Sequence, residues 1–287
     1  MSQSVCPGSS NHTLVPASGD PDRFDAQACS FDLRAGLSSD AARAVAEGVL
    51  ELAGPGGDDL LVELGAGTGQ IGQHLAEAVH YVGIDSSARM LDVFRGRLGA
   101  VDRSRTRLSH ADANQTWPLA DGSVAVVFAS RVAHLLQTCH LVAELERVCR
   151  AGGYFVVGWV VRDSDGAKSR LRQQRRLLLQ QRGFARRDRE PVIKRALDGL
   201  LAAGATQVEA RPAARWTASA SVQEILTSWE TVGAMGGRQI DADTRARLLD
   251  ELRSWAIREL GDVSALATWE ERYMLEGVCL PARPCAQ

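Results

Sequence analysis

The clearest chemical signal in the chain is a short apolar run followed by glycines. Leu60–Leu64 is apolar except for Glu63, and alternate glycines follow at Gly65, Gly67 and Gly69. Glycine permits positive φ and lets a ligand lie against the backbone, where the free N–H groups at the start of a helix donate hydrogen bonds. The pattern predicts a buried strand, a tight turn and a helix start, with a ligand at the turn.

A second acidic residue stands at the spacing of a ribose-binding carboxylate. Tyr81–Ile84 is another short apolar run, and Asp85 ends it, twenty residues after Gly65. A carboxylate at the end of this strand can bind the hydroxyls of a ribose. The two acids, one before the turn and one after the next strand, predict a nucleoside ligand.

Two classes of nucleotide ligand use such a turn. The pyrophosphate fingerprint G-x-G-x-x-G requires glycine at position 70, where this chain has Gln70. Glu63 would also repel a pyrophosphate, whereas a cationic ligand with an amino group would be attracted to it. The residues therefore favour a cationic nucleoside over NAD or FAD.

The hydrophobic–acid–hydrophobic–G-x-G-x-G pattern resembles motif I of the class I S-adenosylmethionine (SAM) dependent methyltransferases. Two further stretches, 112–129 and 144–153, resemble the ubiquinone/menaquinone-biosynthesis-like (type 11) family. The first contains Asp-Ala, Pro-Leu, Asp-x-Ser and an apolar strand, and the second reads Glu-Leu-Glu-Arg-Val-x-Arg-x-Gly-Gly. The resemblance covers 36–161 and departs at Ala125, where that family commonly has an acid. It implies SAM as cofactor and S-adenosylhomocysteine (SAH) as product.

The resemblance also implies which residues contact SAM. The turn lies under the methionyl part and Asp85 holds the ribose. Asp112, at a strand end, can accept a hydrogen bond from the adenine amine. Met90 either lies under the adenine ring or packs its own helix. The predicted cofactor-binding residues are Glu63, Gly65, Ala66, Gly67, Gly69, Gln70, Asp85, Ser86, Met90, Asp112, Ala113 and Ser130.

The segment after the fourth predicted strand lies where an acceptor would meet the methyl group. It contains two catalytic and substrate-binding candidates, Arg131 and His134. His134 is a candidate general base, and Arg131 a candidate for holding a carboxylate or phenolate, with a packed histidine and a structural ion pair as the alternatives. Positioning alone lowers the barrier of an in-line methyl transfer, so no catalytic residue is required. Trp229 is a further candidate for substrate contact.

The order of elements predicts the fold class. Five strand–helix alternations before Val161 indicate a Rossmann-like, doubly wound and mostly parallel α/β sheet, with ligands at the carboxyl ends of its strands. The resembling family ends its seven-stranded sheet with an antiparallel hairpin. We expect a disordered segment at 1–22, a core at 23–219 with a basic helix at 164–190, a helical cap or substrate lid at 220–270, and a last strand and tail at 271–287.

Composition excludes several other classes. The 287 residues are 45% hydrophobic and 24% charged, which is typical of soluble globular proteins. No apolar run approaches the ~18 residues of a membrane helix, and the N-terminus does not resemble a secretory signal. The six cysteines show no C-x-x-C spacing, which favours reduced thiols over a metal site. A cytoplasmic protein without a bound metal is predicted.

One stretch is strongly basic although the net charge is −2. Residues 168–195 contain eleven basic and two acidic residues. Clustered cations favour a polyanion such as RNA, but only Phe184 is available there to stack on bases, and a solvated or subunit-contacting face is the other interpretation. We therefore expect a small-molecule acceptor rather than a nucleic acid, and a homodimer stays open. An RNA- or protein-directed methyltransferase and a non-catalytic SAM-fold protein are the alternatives.

Overall fold

The computed structural model describes residues 25, 28, 32, 37–99, 104–132, 135–184, 190–230, 234–235 and 238–281. The predicted disordered segment 1–22 and the candidate His134 lie outside the described residues.

The first half of the described chain alternates strands and helices. Its elements are α1 (Ser39–Ala53), β1 (Leu60–Leu64), α2 (Gly72–Ala78), β2 (His80–Asp85), α3 (Ala88–Arg97), β3 (Thr106–His110), β4 (Val124–Ser130) and α4 (Thr138–Val148). Side-chain oxygens of Ser38 and Ser87 cap the first turns of α1 and α3. β1 and β4 are buried almost throughout, which explains why they are continuous apolar runs rather than alternating ones.

The second half contains longer strands and a helical insertion. Its elements are β5 (Cys149–Arg162), α5 (Ala167–Gln181), α6 (Glu190–Ala202), β6 (Thr206–Ser221), α7 (Val222–Glu230), β7 (Ala234–Met235), β8 (Arg238–Gln239), α8 (Ala242–Leu260) and β9 (Leu266–Cys279). The short hairpin of β7 and β8 and the helices α7 and α8 are inserted between β6 and β9.

The sheet has seven strands in the order β3-β2-β1-β4-β5-β9-β6. The pairings among β1 to β5 are parallel, whereas β9 is antiparallel to both β5 and β6. The predicted seven-stranded, mostly parallel, Rossmann-like fold is confirmed. Parallel strands end at one edge of the sheet, so the residues that follow β1, β2 and β4 meet there.

Helices cover both faces of the sheet. One buried cluster packs α1 and α2 against side chains such as Leu61, Tyr81 and Phe128. The opposite cluster packs α4 and α6 against side chains such as Val127 and Phe155. These two layers fix the position of the strand ends at which ligands bind.

A third buried cluster holds the helical cap, which comprises α5, α7 and α8. It includes Leu171, Leu226 and Leu248 from these helices and Trp269 from β9. The cap differs in its bounds from the predicted 220–270, because β9 begins at Leu266 and extends toward it.

The basic helix is shorter than the predicted 164–190. It begins at Ala167 and ends at Gln181, and Gly183 follows with φ 78°. A left-handed glycine just past the last turn is a usual helix stop.

Candidate active site

The turn after β1 depends on left-handed backbone. Gly65, Gly67 and Gly69 have φ of 66°, 56° and 78°, a region that costs an L side chain about 1–2 kcal/mol. The N–H groups of Gly65 and Ala66 donate to the carbonyl oxygen of Ile84 at 2.8 and 3.1 Å. These bonds join the turn to the end of β2, and they place the two predicted acids near one another.

Asp85 connects the turn to the start of α3. Its carboxylate accepts hydrogen bonds from the N–H of Gly67 at 2.8 Å and the N–H of Ser87 at 2.9 Å. Burial raises the pKa of Asp85, and these two bonds act in the opposite direction. Each carboxylate oxygen can accept more than one bond, so both can also receive a hydroxyl hydrogen from a ribose.

Glu63 is almost fully buried, with 2% of its surface exposed. The Tyr81 hydroxyl donates to its Oε2 at 2.5 Å. Burial raises the pKa of Glu63 to about 8, although the bond from Tyr81 lowers it. Most of this carboxyl group is therefore neutral at pH 7, and a cation beside it would favour the charged form.

These residues surround the first cavity, of about 200 Å³, at the ends of β1, β2 and β4. The predicted residues that line it are Glu63, Gly65, Ala66, Gly67, Gln70, Asp85, Ser86, Met90, Asp112, Ala113 and Ser130. Gly69 is absent from the described lining because it faces the ring of Phe94, with which a side chain at this position would overlap. The third glycine therefore serves helix packing rather than the cavity wall.

The sequence interpretation missed a group of mostly apolar lining residues. They are Thr68, Ile71, Ile84, Ala111, Asn114, Val132, Leu135 and Leu136. Ile84 and Ala111 adjoin the predicted acids at strand ends, so their place follows from the topology. Leu135 and Leu136 lie in an irregular segment after β4, where no periodic pattern indicates which side chains face a ligand.

Gln70, which replaces the glycine of the pyrophosphate fingerprint, holds the chain that precedes α1. Its Nε2 donates to the carbonyl oxygen of Leu37 at 3.2 Å, and its Oε1 accepts from the N–H of Leu37 at 3.0 Å. The hydroxyl of Thr68 donates to Asp32 at 2.7 Å. The turn thus contacts Asp32 and Leu37, upstream of α1, and local patterns do not reveal these contacts.

The loop that carries Asp112 is attached to the segment after β4. Asn114 Oδ1 accepts from the N–H of Gln137 at 2.7 Å, and its Nδ2 donates to the carbonyl oxygen of Leu135 at 3.4 Å. Asp112 Oδ1 in turn accepts from the N–H of Asn114 at 2.9 Å. Asp112 is exposed at the rim of the cavity, where its carboxylate can reach an amine.

Glu144, in the helix α4 that follows β4, holds the same loop in place. Glu144, which is 6% exposed, accepts from the N–H of Trp117 at 2.7 Å, and the Trp117 ring donates to the carbonyl oxygen of Ala113 at 2.9 Å. The Arg147 guanidinium holds the pKa of Glu144 below its usual value. A charged, buried carboxylate therefore fixes the loop next to the cavity.

Arg131 directly follows β4 in a left-handed conformation, with φ 58°. Its N–H donates to the carbonyl oxygen of Gly158 at 2.9 Å. The side chain lines both the first cavity and the second cavity, of about 700 Å³. Positive φ is uncommon for a residue with a side chain, and such positions concentrate at functional sites.

A buried tyrosine reaches the same strand end from β9. The hydroxyls of Tyr273 and Ser130 are 2.6 Å apart, and Tyr273 is fully buried. Burial raises the pKa of Tyr273 to about 12, so its hydroxyl remains neutral at physiological pH. The antiparallel pairing of β9 with β5 brings this residue beside β4, although the two hydroxyls are 143 residues apart in sequence.

The second cavity lies between α6 and the strands β5, β9 and β6. Its lining comprises Arg131, Gly158, Trp159, Val160, Arg162, Ile193, Lys194, Leu197, Asp198, Leu201, Gln207, Glu276, Gly277 and Val278. Trp229 lines neither of these cavities among the described residues. It lies in the cap, where the Arg175 guanidinium is 4.2 Å from its ring centroid.

Several cations of the basic stretch 168–195 contact α7, α8 and β9. Arg170 lies 6.0 Å from the ring centroid of Trp255, and Arg182 bonds Glu251. Lys168 lies 3.7 Å from Glu271. At least four of the eleven basic residues of this stretch therefore contact other parts of the protein.

The described part of the chain contains no group of three or more His, Cys, Asp or Glu side chains arranged to hold a metal ion. None of its helices is long and apolar enough to cross a membrane. The cytoplasmic location stays a prediction.

The fold is that of the class I SAM-dependent methyltransferases. Residues 62–157, about a third of the chain, match the family model described as a methyltransferase domain. Residues 62–157 therefore form a methyltransferase domain, and the cofactor of such a domain is SAM. The predicted class and cofactor are confirmed. No curated protein gives a significant match.

Solved structures show the same fold at low identity. A candidate methyltransferase from Bacillus halodurans C-125 is 14% identical with a TM-score of 0.55, over 83% of this chain and 99% of that one. A candidate type II methyltransferase from Anaeromyxobacter dehalogenans is 19% identical with a TM-score of 0.56, over 84% and 97%. The [4+2]-cyclase SpnF is 17% identical with a TM-score of 0.50, over 84% and 81%.

Proposed function

We propose that the protein transfers the methyl group of SAM to a small organic molecule, with SAM in the first cavity and the acceptor in the second. The observation that carries this proposal is the position of Arg131, which lines both cavities. A methyl donor and its acceptor must meet at one point, and in this fold that point lies beyond the end of β4.

The residues of the first cavity suit each part of SAM. Glu63 suits the amino group, Asp85 the ribose hydroxyls, and Asp112 the adenine amine. Gly65 and Gly67 lack side chains, so a ligand can lie against the turn. When bound, SAM supplies a methyl group on a positively charged sulfur, which becomes a neutral thioether after the transfer.

The protein then contributes mainly position and exclusion of water. Arg131 can orient an acceptor at the junction of the cavities, and the bond between Tyr273 and Ser130 fixes the adjacent strand end. The apolar side chains of Val132 and Leu136 keep water away from the reacting centre. Holding two reactants in line at about 3–3.5 Å accounts for several kcal/mol of the barrier. The role of His134 as a base stays a prediction.

The size of the second cavity supports a small molecule as acceptor. Its volume of about 700 Å³ lies within the roughly 300–1,000 Å³ of typical small-molecule sites. The RNA-directed alternative depends on the basic helix, and contacts such as those of Arg170 and Arg175 with tryptophan rings of the cap leave fewer cations for a phosphate backbone.

The alternative of a SAM-fold protein without transferase activity is favoured by one observation. The fold is shared with a [4+2]-cyclase, and a fold alone does not determine the chemistry that it supports. The two functions differ in whether the methyl group leaves SAM.

Incubation with SAM labelled on its methyl group, together with a panel of small organic acceptors, tests the proposal. We expect label in an acceptor and stoichiometric SAH. Replacement of Leu201 by tryptophan, which fills the second cavity, should suppress transfer and leave SAH binding within about twofold of wild type. If SAH binds but no label is transferred to any acceptor while an acceptor is rearranged, the cyclase-type alternative replaces the proposal.

A further inference from the structure

Cations and carboxylates line different levels of the second cavity. Arg162 lies at the end of β5, Arg131 lies four residues lower, where its N–H bonds Gly158, and Lys194 lies near the start of α6. The carboxylates of Asp198 and Glu276 lie below these cations, and Glu276 is only one residue of strand below the level of Gly158. The arrangement follows from strand register and helix direction.

The register of β5 and β9 fixes the levels of Arg162 and Glu276. Glu276 pairs with Val157, five residues before Arg162, so about 17 Å of strand lies between the levels of Arg162 and Glu276. On the opposite wall, α6 descends toward Thr206, which pairs with Cys279 at the lower end of β9. Lys194 therefore lies about 6 Å above Asp198 along the helix axis.

The walls between these charged groups are apolar and aromatic. Ile193, Leu197 and Val160 line them together with the partly exposed indole of Trp159. Arg162 bonds Glu271 through its Nε at 2.8 Å, and a guanidinium carries further N–H donors. Lys194 is exposed toward solvent at the upper rim. The side of the cavity lined by Arg131 and Lys194 thus favours a negative group, and the carboxylates below it disfavour a second one.

We propose that the acceptor of this site carries a single acidic group, a carboxylate or a phenolate, on an apolar or aromatic body, with the acidic group beside Arg131 and Lys194. The proposal rests on the function proposed above, because it identifies the second cavity as the acceptor site. The acidic group is the anchor of the acceptor. A carboxylate is already ionised when it binds, so its anchoring requires no base in the site.

Matched acids and amides test this charge preference directly. The probes are 4-hydroxybenzoate, indole-3-acetate and octanoate, each with its primary amide, titrated into the protein saturated with SAH. Binding is measured by calorimetry. An acid and its amide have nearly the same shape, so any difference in affinity reports the charge. We expect the acid of at least one pair to bind about fivefold more tightly than its amide.

Two substitutions on α6 provide the matched comparison. Lys194 lines the cavity, whereas its neighbour Arg195 is exposed and is not among the described lining residues. K194Q and R195Q remove the same charge from the same helix. K194Q should weaken binding of the acid three- to fivefold and leave the amide unchanged, while R195Q should change neither by more than about 1.5-fold. D198N should strengthen binding of the acid.

Several results would overturn the proposal. They are equal or tighter binding of the amide in all three pairs, no binding of any acid at millimolar concentration while SAH binds, or equal effects of K194Q and R195Q. Failure of SAH itself to bind would instead overturn the proposed function, so the two failures are distinguishable. Thermal denaturation of both variants checks that they fold like the wild type.

Discussion

Replacement of Glu63 by glutamine tests whether the first cavity is built for a cation. The glutamine keeps the size of the side chain and removes its charge and its titration. Glu63 is buried beside Tyr81 with its pKa raised to about 8. A ligand with an amino group should draw the carboxyl into its charged form, so that SAH binding near neutral pH releases a proton.

The pKa sets the size of this effect. At pH 7 a group with a pKa of about 8 is about 90% protonated, so binding should release about 0.9 proton per SAH and affinity should rise about tenfold from pH 7 to pH 9. The pKa lies about 3.5 units above the ordinary value of 4.5, which corresponds to about 5 kcal/mol for ionising this group in the folded protein.

The sign of the stability effect follows from the same shift. Between pH 4.5 and about 8 the folded protein keeps a proton that the unfolded chain has lost. The contribution of Glu63 to stability is therefore complete below pH 4.5 and is lost as the pH rises through 8. The Glu63→Gln variant should show a flatter dependence of its unfolding free energy on pH in this window.

Calorimetric titration of SAH in phosphate and in Tris buffer measures the proton release, because the two buffers differ in their ionisation enthalpy. The wild type should release about 0.9 proton at pH 7, and Glu63→Gln close to none. Equal proton release from both proteins, or an affinity of the wild type that does not change between pH 6 and pH 8, would refute the reasoning.

Three further substitutions examine the geometry of the site. Asp85→Asn has only one acceptor oxygen for the N–H groups of Gly67 and Ser87, so it should weaken SAH binding at least tenfold by calorimetry and lower Tm by about 2–6 °C. Gly67→Ala forces a side chain into φ 56°, so it should lower Tm by about 2–6 °C and reduce SAH binding. The matched control is Gly96→Ala, at a helical glycine with open space around it, which should leave SAH binding unchanged and leave Tm unchanged or slightly raised. Tyr273→Phe removes the bond to Ser130 and should lower the unfolding free energy by about 1 kcal/mol in urea; an unchanged midpoint would show that the hydroxyl contributes nothing to stability.

The first cavity could be predicted from the sequence because most of its chemistry is local. A strand, its turn and the next strand end carry Glu63, Gly67 and Asp85 within about twenty residues, and the rules of parallel sheets bring them together. The exception, Gly69, shows the limit of the motif. Its conformation is required, but its position against Phe94 depends on a helix that the pattern does not orient.

The second cavity was not predicted because its walls come from distant parts of the chain. α6, Gln207 and Glu276 meet only through the antiparallel pairing of β9 with β5 and β6. The sequence predicts a substrate lid at 220–270 and Trp229 as a substrate contact. A tryptophan on an amphipathic helix gives the same sequence pattern whether it lines a lid or packs in a core. The structure places the Trp229 ring against Arg175.

Calorimetric titration with SAH and with NAD shows whether the turn after β1 and the acid after β2 bind the sulfur nucleosides SAM and SAH rather than a dinucleotide. We expect one SAH per chain and no heat from NAD. Binding of NAD without binding of SAH or SAM would contradict it.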